Sequence, residues 1–110
     1  MRSNRSGTEI NDTNMKQYLI IAYDGSDNEA PDRRKTVRPA HLAGAKKLKI
    51  LNQFITGGAI LDEYNNMRGS VMIVQFENDE AFKEWYDNEP YITHGVWKTI
   101  DVKPFRVAEV

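Results

Sequence analysis

The stretch SVMIVQFENDEAFKEWYDNE, residues 70–89, contains the junction on which the fold turns. Residues 70–77 form an apolar run rich in β-branched and aromatic side chains, interrupted at Gln75 and ended by Glu77, which is the pattern of a strand. At Asn78 the pattern changes. Asparagine is a good helix N-cap, and Asp79 and Glu80 fall in the first turn, where negative charge suits the positive end of the helix dipole. Ala81, Phe82, Trp85 and Tyr86 then supply one apolar helical face, a core pattern rather than a ligand platform.

Working outward, DEYNNMRGS (62–70) reads as a connection, and FITGGAIL (54–61) as a strand. The glycines inside that strand point to a bulge or a close backbone approach. AHLAGAKKLKILNQF (40–54) predicts a first helix, with Leu42, Ala45, Leu48 and Leu51 at three-residue spacing and Ile50 beside them. Lys46, Lys47 and Lys49 lie on its other side as a solvated face, Pro39 suits its first turn, and Asn52-Gln53 and Gly57-Gly58 lie near its end. The polar segment GSDNEAPDRRKTVRP (25–39) reads as a loop. QYLIIAY (17–23) is a strand whose nearly continuous apolar character predicts burial on both faces, and Asp24-Gly25 closes it. After EPYITHG, VWKTIDVKPF (96–105) is a final strand with one wet face.

The order β-α-β-β-α-β is the ferredoxin-like split βαβ arrangement, an α+β fold with four antiparallel strands and helices on one face. The other sheet face then needs cover. A second copy packed sheet to sheet supplies it, so a homodimer is expected.

At 110 residues there is room for one domain. Lys and Arg number 15 against 16 Asp and Glu, a net charge of −1, which argues against a general nucleic-acid binder. The absence of cysteine removes disulfides, thiolate nucleophiles and thiolate metal sites. With two histidines, a metal site would need carboxylates to complete it, and neither a metal nor a cofactor is expected. No phosphate-binding glycine loop, GxSxG elbow or HExxH motif is present. No apolar run approaches the ~20 residues of a membrane span, so no membrane partner is expected. Residues 1–15 are polar and lack the apolar stretch of a secretory signal. They read as a disordered leader, or as residues foreign to the natural chain with Met15 its start, leaving residues 16–110 as the domain. The expected location is cytoplasmic.

The chemistry concentrates in a few side chains. His41 is expected at the start of helix one, where the dipole favours a neutral imidazole, a usable general base. Arg38, three residues earlier, can hold a planar oxyanion with its fork. Pro90 forces Glu89 out of helical geometry, so its carboxylate can be aimed across the domain toward His41. Asp24, at the end of strand one, can meet Arg38 or His41. Each residue also has a plainer reading: a helix histidine bonded to a carbonyl, a solvated helix-end acid, an ordinary Asp-Gly turn. His94-Gly95 reads as a turn.

Several of these segments resemble the YciI-like (YCII-related) family from about Lys16 to Phe105. The residues that carry the resemblance are Asp24, Arg38-Pro39-Ala40-His41-Leu42, Gly58, Gly69-Ser70, Glu89-Pro90-Tyr91, Gly95-Val96 and Val102-Lys103-Pro104-Phe105. It implies a ferredoxin-like α+β fold dimerising through its sheets into an α+β barrel. It also implies a pocket lined by a histidine and an acid, here His41 and Glu89, the latter standing where an aspartate is usual. Gly58-Ala59 replaces the usual glycine-proline, which is expected to loosen the turn after helix one. Family members characterised as enzymes eliminate HCl from chlorinated aromatic-pathway intermediates. The resemblance thus implies a small cofactor-independent lyase or isomerase, with His41, Glu89 and Asp24 catalytic and Arg38, Ser70 and Tyr91 binding a small acidic or ring-derived substrate. The alternative is a dimeric module that binds a small ligand in the same pocket without turnover.

Overall fold

The computed structural model describes residues 15–110; the expected leader lies outside the described residues except for Met15. The elements are β1 (Lys16–Asp24), α1 (Ala30–Ile50), β2 (Phe54–Leu61), β3 (Met67–Phe76), α2 (Asp79–Asn88), α3 (Pro90–Thr93) and β4 (Trp97–Phe105). The sheet runs β2-β3-β1-β4 with every neighbouring pair antiparallel, which is the ferredoxin-like α+β order expected from the sequence.

One sheet face carries the core. Tyr18, Ile20 and Ala22 pair with Val74, Met72 and Ser70, and all six are buried. On the opposite face, Leu19 and Ile21 pair with Ile73 and Val71, and these four are only half-buried. The expectation that β1 is buried on both faces is therefore corrected: among the described residues no helix covers the second face of this sheet.

Two register shifts decide which side chains enter the core. Between Tyr23 and Asp24 the pairing to β4 slips, so Asp24 faces Trp97, and the slip re-aims Trp97 onto the core face. A second slip between Phe54 and Thr56 does the same for Phe54. Beside it, a Cβ on Gly57 would lie 2.8 Å from the Val71 carbonyl oxygen, so the close approach expected from the glycines is real. Gly58-Ala59 lies inside β2, so the expected loosening of a turn does not apply there.

The first helix is longer than expected. It begins at Ala30, with Pro31 in its first turn, and the segment expected as a loop is helical from there on. The entry is held by Arg33, which donates to both oxygens of Asp27 at 3.2 and 2.8 Å. Pro39 lies inside the helix. Its missing N–H is tolerated because Pro39 and Lys35, whose carbonyl it would have served, both face solvent.

The buried side of α1 also differs from the expected stripe. Three-residue steps turn about 300° and drift off a helical face. Leu42 and Leu51 are accordingly exposed, and the buried face runs through Ala30, Arg34, His41 and Leu48, with Val37 packed beside them. The helix stops at Asn52, in the left-handed region at φ 61, with Asn52 N–H donating to the Lys49 carbonyl and Gln53 N–H to that of Leu48. That is a Schellman closure, with Asn in the role usual for Gly. At α2, Asn78 caps as read: its side chain accepts from Ala81 N–H at 2.8 Å. Among the described residues, no helix is long and apolar enough to cross a membrane.

Candidate functional site

The polar interior collects between α1, α3 and the ends of β1, β3 and β4, around the ring of Tyr91. Pro90 opens the four-residue helix α3 and holds Glu89 extended at φ −67 and ψ 124. From there the Glu89 carboxylate turns back on its own helix: Oε1 accepts from Tyr91 N–H at 2.7 Å. The same oxygen lies 2.9 Å from His41 Nδ1. Both side chains are buried, His41 10 % and Glu89 1 % exposed. The Tyr91 ring stacks on the imidazole, centroids 3.9 Å apart and planes 11° from parallel. Trp97 meets both rings edge-on, at 5.8 Å from His41 and 5.5 Å from Tyr91.

His41 is thus brought to Glu89, as the sequence allowed, but by another route. It sits mid-helix rather than at a helix start, away from the helix N-terminus. Its setting comes from Glu89 and the aromatic rings.

Asp24 takes a different partner from the two expected. It bonds neither Arg38 nor His41; both its oxygens accept from Arg34 Nη1, at 2.9 and 3.0 Å, with the two side chains 3 % and 6 % exposed. Arg34 Nη2 donates to Ser70 Oγ at 2.9 Å, and the guanidinium carbon lies 4.8 Å from the centre of the Tyr91 ring. Ser70 Oγ also accepts from Trp97 Nε1 at 3.2 Å. With both acceptor directions taken by N–H groups, the serine hydroxyl hydrogen is left to donate.

Arg34 and Trp97 are the site residues that sequence reading missed. Arg34 lies seven residues before His41, two helical turns along one face, but that relation is visible only once the helix is known to run through Pro39. Trp97 joins the site through the register slip of β4, which no local pattern announces.

A cavity of about 90 Å³ lies against this cluster, with Asp24, Glu89 and Trp97 behind its wall rather than in its lining. Arg34, Arg38, His41, Ser70 and Tyr91 supply its polar lining, and Phe54, Gly57 and Met72 its apolar lining. Because Glu89 occupies Nδ1, Nε2 is the imidazole nitrogen free to face the cavity. The Tyr91 hydroxyl and Arg34 Nε are buried without a hydrogen-bond partner. Burial pushes the Tyr91 phenol up, while Arg34 and Arg38 pull it back, so the hydroxyl keeps its proton at neutral pH. Arg38 itself is exposed at the cavity mouth. A roomier groove of about 860 Å³ lies between the start of β1 and the C-terminal tail, and none of these polar residues lines it. Among the described residues no three His, Asp or Glu side chains gather as a metal-binding group.

The comparisons with known proteins fit this architecture. The YciI protein of Escherichia coli O6:H1 is 36 % identical over 95 residues, covering 81 % of this chain and 95 % of that one. An uncharacterized protein of Haemophilus influenzae is 39 % identical over 95 residues, with the same coverage. Among solved structures, the 5-chloro-2-hydroxyhydroquinone dehydrochlorinase of Burkholderia phenoliruptrix AC1100, in complex with 2,5-dihydroxybenzoquinone, superposes with a TM-score of 0.71. It is 23 % identical, covering 84 % of this chain and 95 % of that one, and shows a shared fold. The family profile described as the YCII-related domain matches residues 16–106, almost the whole described chain. The chain belongs to the YCII-related domain family.

Proposed function

We propose that the chain is a small acid–base enzyme of lyase or isomerase type that needs no cofactor and acts on a small acidic or ring-derived substrate. The observation that carries this reading is the hydrogen bond of 2.9 Å between His41 Nδ1 and buried Glu89, in the wall of a donor-lined cavity. An ionised Glu89 accepts from Nδ1–H, which leaves the lone pair of Nε2 for the substrate. In an elimination, Nε2 takes the proton from a substrate C–H. That bond's electron pair becomes the new double bond, and the leaving group departs with its own bonding pair. Glu89 stabilises the imidazolium so formed, and the proton is afterwards lost to solvent. Arg38 holds the substrate's acidic group, and the Ser70 and Tyr91 hydroxyls donate to its polar atoms beside the reacting carbon.

Asp24 serves this chemistry by holding Arg34, and through it Ser70 and the Tyr91 ring, in place. The likeness of fold to a dehydrochlorinase is compatible with elimination chemistry. The working unit is a homodimer: the half-buried stripe of Leu19, Ile21, Val71 and Ile73 on the uncovered sheet face is what a second copy would close. A cytoplasmic setting suits a chain without cysteine.

The test is turnover of halogenated and hydroxylated ring-cleavage intermediates by the wild type, His41→Ala and His41→Asn. Turnover by the wild type with loss in both variants is expected, and activity surviving in both overturns the reading. A compound that raises the melting temperature yet is recovered unchanged would establish the rival reading, a module that binds without catalysis.

A further inference from the structure

Outside the cavity, the same helix face continues into a second space. A groove of about 380 Å³ lies between the first half of α1 and the β2–β3 hairpin, lined by Arg34, Lys35, Arg38, Asn66, Met67 and Arg68. Arg34 and Arg38 line both spaces, so the groove and the cavity adjoin along α1.

The groove is strongly cationic in a chain whose net charge is −1. Asp24 neutralises Arg34, and Asp62 neutralises Arg68 at 2.9 Å. Lys35 and Arg38 form no ion pair among the described residues, which leaves two positive charges uncompensated on consecutive turns of one helix. At the inner end, the fully buried Tyr91 hydroxyl and Arg34 Nε lack partners, beside a Ser70 hydroxyl whose hydrogen is free. Among the described residues, the Tyr91 hydroxyl, Arg34 Nε, Lys35 and Arg38 thus offer donors from the cavity floor out to the groove that no protein acceptor meets.

Size adds a second constraint. The cavity of about 90 Å³ is the smaller of the two spaces, and the groove of about 380 Å³ lies alongside it. A substrate longer than the cavity that reaches His41 would extend along the cationic groove.

We propose that Lys35, Arg38 and Arg68 form an anion subsite, which holds a carboxylate or phosphate at the far end of a substrate whose reacting end lies against His41. The inference rests on the acid–base reading for the reacting end but not for the anion. At a rise of about 1.5 Å per residue, Arg38 and Lys35 stand about 5 and 9 Å along the helix from His41. The substrate class is thus an unsaturated or cyclic acid whose charged group is separated from the reacting carbon by roughly that span. Bidentate arginine contacts and a lysine point charge suit either oxyanion.

The experiment titrates inorganic phosphate and, separately, succinate into the isotope-labelled full chain, following backbone amide shifts with chloride at matched ionic strength as control. The variants are Lys35→Gln/Arg38→Gln, both exposed positions, and His41→Asn. Saturable shifts at Lys35, Arg38 and Arg68 are expected with at least one anion, weakened about tenfold or more in the double variant and unchanged in His41→Asn. Which anion binds more tightly separates a phosphorylated substrate from a carboxylic one. Absence of saturable binding by either anion, shifts that chloride reproduces, or equal binding by the double variant overturns the subsite. Equal loss in His41→Asn also overturns it, because the anion would then sit in the cavity. No turnover is measured, so the result stands or falls separately from the acid–base reading.

Discussion

Two buried hydrogen-bonded pairs meet at the Tyr91 ring, and they differ in what they leave free. Asp24 and Arg34 join a carboxyl to a guanidinium, and Arg34 spends its donors on that carboxyl, the Ser70 hydroxyl and the face of the ring. His41 and Glu89 include an imidazole, the side chain whose charge changes most readily near neutrality, and one of its nitrogens is left open to a cavity. The first pair is a brace with no spare proton. The second, in the function proposed above, is a proton-transfer device held by a helix cap. A charged pair sealed from water is sensitive to the loss of either member, whereas a neutral imidazole can be replaced at lower cost to the fold.

That contrast predicts an order of effects. Asp24→Ala strands the Arg34 guanidinium at 6 % side-chain exposure and should cost about 3–5 kcal/mol in urea unfolding. Asp24→Ala combined with Arg34→Met should recover much of the loss, and a single-variant loss below about 1 kcal/mol would remove the brace. Glu89→Ala removes both the α3 cap and the acceptor for His41, and about 1–3 kcal/mol should be lost by the same measurement. Glu89→Gln keeps an oxygen for the cap and should lose less stability but most of the turnover. His41→Asn keeps a donor toward Glu89, so a cost of about 1 kcal/mol is expected alongside loss of turnover. If its stability cost matches that of Asp24→Ala, the two pairs are alike and the distinction fails.

The smallest effect belongs to an exposed cluster that serves as a control. Asp79 accepts from Tyr18 Oη at 2.6 Å and from Lys16 Nζ at 3.0 Å. The Tyr18 hydroxyl, then Lys16, hold its carboxyl below the usual range. A depressed carboxyl stabilises the fold above its unfolded value, and that contribution is lost as pH falls through the folded one. Asp79→Asn should therefore flatten the acid limb of a melting-temperature profile and leave the neutral region nearly unchanged. Burial foremost, and Asp79 next, push the Tyr18 phenol up. Its contribution is present below the ordinary phenol range and fades as pH rises through the folded value, so the same variant should also soften the alkaline limb.

Local signals were legible where a residue acts on its own neighbours. Asn78 caps the helix that follows it, and Pro90 holds Glu89 extended, because in each case the partner lies within three residues. The start of α1 was not legible. A segment with two prolines and seven charges has the composition of a loop, and its helix is fixed by packing of Ala30 and Arg34 against the rest of the fold. The buried stripe of α1 misled for a related reason: His41 and Arg34 occupy core-facing positions that hydrophobicity assigns to leucine, while Leu42 and Leu51 face outward.

By itself, then, the sequence determined the order of strands and helices, the chain's membership of its family, and the residues that could do chemistry, since periodicity, caps and turn residues act over a few positions. Tertiary structure alone gave Asp24 the partner Arg34, and it set the contact between His41 and Glu89 that the sequence had offered as an expectation. Asp24 lies 10 residues from Arg34, and His41 lies 48 from Glu89. Those partnerships depend on sheet register, on two strand slips and on helix length, quantities that no single segment contains.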